Sequence, residues 1–201
     1  MDSKEIRDIL VSWIVLSFAF MFLLGNISLA NPGSFGTITL GMFAMYLFIV
    51  AVSFLSHELG HRQVARMYGF KANFEMWPAG VILAVISSLL GFLIAAPGAV
   101  VIRPGKVFTG GRKKLNEIGL KISISGILIN IFFGIIFGIA LLFTAPGMIQ
   151  NTLGIASFIN FWLAIFNLLP IPPLDGSKVF YYNRAVWAVA FVAAILLLLF
   201  L

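Results

Sequence analysis

The clearest chemistry in this chain lies at the end of a long apolar run, where Ser56-His57-Glu58-Leu59-Gly60-His61 reads H-E-x-x-H. On a helix, positions four apart share a face, so His57 and His61 can hold one metal ion between their imidazoles. Glu58 sits about 100° further round the helix and reaches a water on that ion rather than the ion itself. The chain has two histidines, and both are in this motif. Two histidines packed in a core by chance would explain the spacing. They would not explain a charged Glu58 inside a hydrophobic segment, which is costly unless it has a task.

The elements that must position this motif belong to a membrane. The 201 residues are 61% hydrophobic and 10% charged, whereas soluble domains are about half apolar and a quarter charged. The net charge of +6 would suit a nucleic-acid partner in a soluble protein. Here the basic residues flank apolar runs, which is what orientation in a bilayer requires, so no nucleic-acid partner is expected. With no cysteine, disulfides and thiolate zinc sites are excluded, and a metal must use His and carboxylate.

Taken in order, the sequence predicts an all-α polytopic membrane protein: about five spanning helices plus a re-entrant or strand-like segment, in one membrane-embedded domain over residues 1–201. Residues 9–24 form a first apolar run. Ser28-Leu29-Ala30 resembles a cleavage site, but the acidic leader (Asp2, Glu5, Asp8) argues against a signal peptide. Residues 25–37 lack Lys and Arg and are expected outside. Residues 38–68 read as one helix ended by Gly69. His57 then lies roughly 28 Å along it, near the far edge of a hydrocarbon core about 30 Å thick. Arg62, Arg66 and Lys71 follow and mark that edge as cytosolic.

Residues 77–102 are apolar but broken by Gly91, Pro97 and Gly98, with positive charge at both ends. A re-entrant hairpin, or a short helix followed by a strand over 92–102, keeps every basic cluster on one side. Residues 118–143 and 153–169 read as spanning helices. Gly126, Gly134 and Gly138 in the first are spaced for close helix packing. Pro170, Pro172 and Pro173 stop the second, and residues 185–201 form a last apolar helix.

Two histidines leave a zinc site short of a ligand, since catalytic zinc has three protein ligands plus water. Asp2, Glu5 and Asp8 are terminal, Glu75 and Glu117 flank basic clusters, and Glu58 is assigned as base. Asp175 remains, at the cytosolic end of a spanning segment and at the depth calculated for His57. A turn role in Leu174-Asp175-Gly176 is the competing explanation. A re-entrant 77–102 brings all three ligands to one membrane edge. A full crossing would separate them by roughly 20–30 Å.

The pair of motifs, His57-Glu58-Leu59-Gly60-His61 and Asn167-x-x-Pro170-x-x-x-Leu174-Asp175-Gly176, resembles the site-2 protease family of intramembrane zinc metalloproteases, peptidase family M50. The resemblance implies a three-helix catalytic core over 38–68, 118–143 and 153–175, with zinc, one per chain, on His57, His61 and Asp175. It implies Glu58 as catalytic base and Asn167 as a residue holding the substrate or the oxyanion. Ser125-Gly126-Ile127-Leu128-Ile129-Asn130 is similar to the family's Gly-Pro-x-x-Asn stretch, with Ile127 in place of the proline. That departure leaves the role of Asn130 open between function and packing.

The expectation is a zinc metalloendopeptidase that cleaves transmembrane protein substrates within or near their spans, multi-pass in the cell membrane, with its site near the cytosolic side. The strand-like end of 92–102 would pair with a locally extended substrate, or plug the bundle. The alternative class is a metal-ion transporter using the same His/Asp site. Against it stand the lack of a second polar cluster on the external side and of an inverted repeat.

Overall fold

The computed structural model describes residues 1–93, 97–105 and 111–201. In chain order it forms α1 (Ser3–Leu24), a 3-10 turn (Pro32–Thr37), α2 (Leu40–Val50), a π-helical turn (Ala51–Leu55) and α3 (Ser56–Met67). Then come β1 (Lys71–Met76), α4 (Pro78–Leu89), β2 (Gly98–Arg103), α5 (Arg112–Leu142), α6 (Met148–Asn167), α7 (Asp175–Tyr182) and α8 (Arg184–Phe200).

Local chemistry sets the helix starts. Asp2 caps α1 by accepting from the Glu5 N–H (2.7 Å), and Thr39 caps α2 by accepting from Met42 N–H. Pro78 opens α4, and Asn183 caps α8 through the N–H groups of Ala185 and Val186. Among the described residues, four helices are long and apolar enough to cross a membrane: Ser3–Leu24, the continuous Leu40–Met67, Arg112–Leu142 and Met148–Asn167. The 17 residues of α8 make it a shorter apolar helix, the candidate for the fifth span of the sequence reading.

Segment 77–102 resolves into a short helix followed by a strand, one of the two forms expected, with residues 94–96 outside the described part. β2 pairs with β1. The bond from Trp77 N–H to Pro97 O (2.9 Å) at one end makes the pair antiparallel.

The chain divides into two compact units: Met1–Leu55 with Asn73–Val101, and Ser56–Ala72 with Ile102–Leu201. In the first, α1 packs on α2 and α4. The carboxylates of Glu5 and Asp8, both buried, accept from the Phe74 N–H (3.1 Å) and the Met76 N–H (3.3 Å) of β1. Residues set aside as terminal in the sequence therefore satisfy the strand edge. Trp13 Nε1–H donates to Leu47 O (2.8 Å), tying α1 to α2.

In the second unit α5 is the central helix, touching α3, α6 and α7, while α8 packs on α6 and α7. Ile127, Ala164, Leu168, Val179, Ala190 and Ala194 form its buried core. The glycines of α5 act as expected of small residues at close crossings. A Cβ at Gly134 would strike the Phe161 ring, and one at Gly126 would strike both imidazoles of α3.

Candidate metal centre

Helix α3 carries the first motif, and the π-helical turn Ala51–Leu55 directly precedes it. Such a turn is rare, occurs mostly as a single-turn insertion in an α-helix, and is frequent at functional sites. No residue type in the sequence signals it. His57 and His61 are buried, with only 4% and 6% of their surface exposed, and face α5 where Gly126 leaves room for their rings.

The third donor comes from α7. The sequence reading ended the helix at about residue 169, at the prolines, and put Asp175 at the end of that segment. The helix stops at Asn167, and Asp175 begins a separate short helix after the proline segment. Gly176 lies directly on the Leu168 backbone, where a Cβ would clash, so the Leu-Asp-Gly glycine permits a close approach that seats α7 against the end of α6. The Leu168 carbonyl is further held by Trp187 Nε1–H (2.7 Å).

The three donor atoms converge. His57 Nε2 lies 3.0 Å from His61 Nε2, and Asp175 Oδ2 lies 2.8 Å from His61 Nε2 and 3.3 Å from His57 Nε2. Tetrahedral zinc with bonds of about 2.0–2.1 Å needs ligand atoms about 3.3 Å apart. The triangle is one face of such a tetrahedron to within about half an ångström. Among the described residues this is the one group of three His or acidic side chains whose ligand atoms lie so close together.

The hydrogen bonds of the other ring nitrogens decide what those atoms are. His61 Nδ1 is 2.7 Å from the Ile122 carbonyl. A carbonyl only accepts, so Nδ1 carries the proton and Nε2 presents a lone pair. His57 Nδ1 is 2.6 Å from Asn130 Oδ1, with the same consequence. Two nitrogen lone pairs and a carboxylate oxygen therefore point at one another. That arrangement is repulsive until a positive charge lies among them, and the donor set fits a zinc ion.

The Asp175 carboxylate meets the two imidazoles through Oδ2. Its second oxygen, Oδ1, accepts from Lys178 Nζ (3.1 Å), which leaves Oδ2 alone toward the histidines.

Other expected residues fall as follows. Glu58 follows His57 on α3 and is half-buried. Asn167, also half-buried, ends α6 and donates from Nδ2 back to the Leu163 carbonyl of its own helix (3.0 Å). Asn130, left open by the sequence, contacts His57 and donates from Nδ2 to Asn160 Oδ1 (3.0 Å). Asn160 was not foreseen. Its one signal in the sequence is an amide in an apolar helix, which is expensive without a partner.

Residues 143–190 match the model of peptidase family M50, a stretch that holds Asn167 and Asp175. A "Putative zinc metalloprotease" of Methanocaldococcus jannaschii is 37% identical over 189 residues, spanning 94% of this chain and 89% of the relative. The chain belongs to peptidase family M50, the site-2 protease family. A second relative, a "Putative zinc metalloprotease" of Bacillus subtilis, is 34% identical over 148 residues, or 67% of each chain. No solved structure matches significantly. As an M50 metalloprotease with zinc as its metal, the chain is a multi-pass membrane protein by its four apolar helices.

Proposed function

We propose that this M50 member is an intramembrane zinc endopeptidase, in which His57, His61 and Asp175 hold the metal and Glu58 is the general base. The observation that carries the reading is the convergence of three donor atoms with both histidine tautomers fixed. The substrates would be transmembrane proteins, cut within or near their spans. The whole chain would act as one membrane-embedded domain of about five spans, α8 included, with the site near the cytosolic side where Arg62, Arg66, Lys178 and Arg184 lie in sequence.

Zinc, when bound, supplies the Lewis acidity that makes a water nucleophilic near neutral pH. The chain's own residues do the rest. Asp175 offers one oxygen, Oδ2, and keeps the other on Lys178. Glu58 takes the proton from that water and passes it to the leaving amine. Asn167 Nδ2 would turn from Leu163 O to the substrate carbonyl and stabilise its developing charge. Because a helical substrate hides its carbonyls, it must be locally extended, and β2 offers a strand with which an extended segment pairs.

The test is purification in detergent, metal analysis, and cleavage of a panel of transmembrane peptides with and without a zinc chelator. Zinc-dependent cleavage that disappears in Glu58→Gln, with zinc retained, is the expected result. Zinc-loaded protein that cleaves none of the panel would overturn the endopeptidase reading.

A further inference from the structure

We infer that Asn160, which lies outside both motifs, is a positioning residue for His57: through Asn130 it fixes which imidazole nitrogen carries the proton. The inference rests on His57 being a zinc ligand. Asn160 Nδ2 donates to the Ala156 carbonyl (2.8 Å), one turn back on α6. That carbonyl has no hydrogen to give, so it dictates the orientation of the Asn160 amide and presents Oδ1 to α5. Asn130 must then meet Oδ1 with its Nδ2 (3.0 Å), which turns its own Oδ1 to His57 Nδ1 (2.6 Å). The last acceptor requires Nδ1–H, and His57 Nε2 is left bare for the metal.

The relay has one polarity, imposed at its far end by the backbone. Asn130 and Asn160 are both fully buried, so water does not stand in for a lost partner, and inverting either amide strands buried polar groups. Removing Asn160 takes away the acceptor that draws Asn130 Nδ2 away from His57 and favours the inverted amide. The ring proton would then move to Nε2, the atom that faces Asp175 Oδ2 at 3.3 Å, and zinc would have to displace it. His61 takes its tautomer from Ile122 O (2.7 Å), independently of the relay. The molecule thus carries its own control.

Zinc-loaded full-length protein in detergent is titrated with a zinc chelator, and imidazole ¹⁵N spectra are recorded as the metal leaves. A chain with two histidines gives a readable spectrum. Asn160→Leu should weaken zinc by about ten- to hundredfold, the usual effect of losing an outer-shell partner, and should shift the His57 nitrogens while leaving those of His61 in place. Asn160→Asp, which still offers an acceptor to Asn130, should stay within about threefold of wild type.

In an Asn130→Asp background the acceptor needs no orienting, and Asn160→Leu should there be nearly silent. Should Asn160→Leu fail to accumulate, Asn160→Ser, too short to reach Asn130, reads the same arm. Zinc affinity within twofold of wild type, equal disturbance of both histidines, or the same loss in both backgrounds would overturn the positioning role.

Discussion

Carboxylates are withdrawn from water in both units of this molecule, Glu5 and Asp8 fully and Asp175 in large part, and for different reasons. Glu5 and Asp8 on α1 face hydrogen-bond donors, the backbone N–H groups of Phe74 and Met76. Asp175 faces two imidazole nitrogens whose hydrogens lie on the far side of their rings. The first set is complete as it stands and does structural work at a strand edge. The second is three electron pairs without a proton among them, and it asks for a cation. Burial of charge does not separate a site from a support; the polarity of the neighbours does.

The sharpest way to break the comparison is to remove Asp175. Asp175→Asn should abolish stoichiometric zinc by elemental analysis and reduce cleavage to background. The expected wild-type value is one zinc per chain. Undiminished zinc in Asp175→Asn would return Asp175 to the structural class. Glu58→Gln comes next. It should keep zinc and thermal stability while lowering the cleavage rate by about 10²–10⁴-fold, the range for a general base. Cleavage above a tenth of wild type would dismiss Glu58 as the base.

On the other side of the comparison, Glu5→Ala should leave zinc content unchanged. It strands the Phe74 N–H and so should cost about 1–3 kcal/mol of stability, read as a lower Tm. Loss of zinc from that variant would mean that the two sets are not separable. The smallest effect belongs to Lys178, whose side chain is half exposed. Lys178→Met removes a solvated partner worth about 0.2–1 kcal/mol, so zinc affinity should fall by less than about fivefold in the same chelator titration.

The sequence made one set visible and hid the other. H-E-x-x-H announces itself because ligand spacing and helix period coincide, and Asp175 emerged by elimination among few carboxylates. The acidic leader looked like a solvated end because its donors are backbone groups some 70 residues away, and backbone groups carry no sequence signature. The π-helical turn escaped for the same reason. The three prolines were read as the stop of α6, but not as leaving the next helix free to begin at Asp175. The Asn130–Asn160 pair depends on which faces of α5 and α6 meet, a property of packing that the spacing within either helix does not contain.

The donor triangle has a consequence for the timing of synthesis. Its members enter the growing chain far apart: His57 and His61 early, Asn130 and Asn160 later, and Asp175 last of all. At ribosomal speeds of about 5–20 residues per second, several seconds separate the first ligand from the third. Throughout that interval the nascent chain has only two of its donors. On the proposed ligand set, metal capture therefore waits until α1 to α6 have all been made.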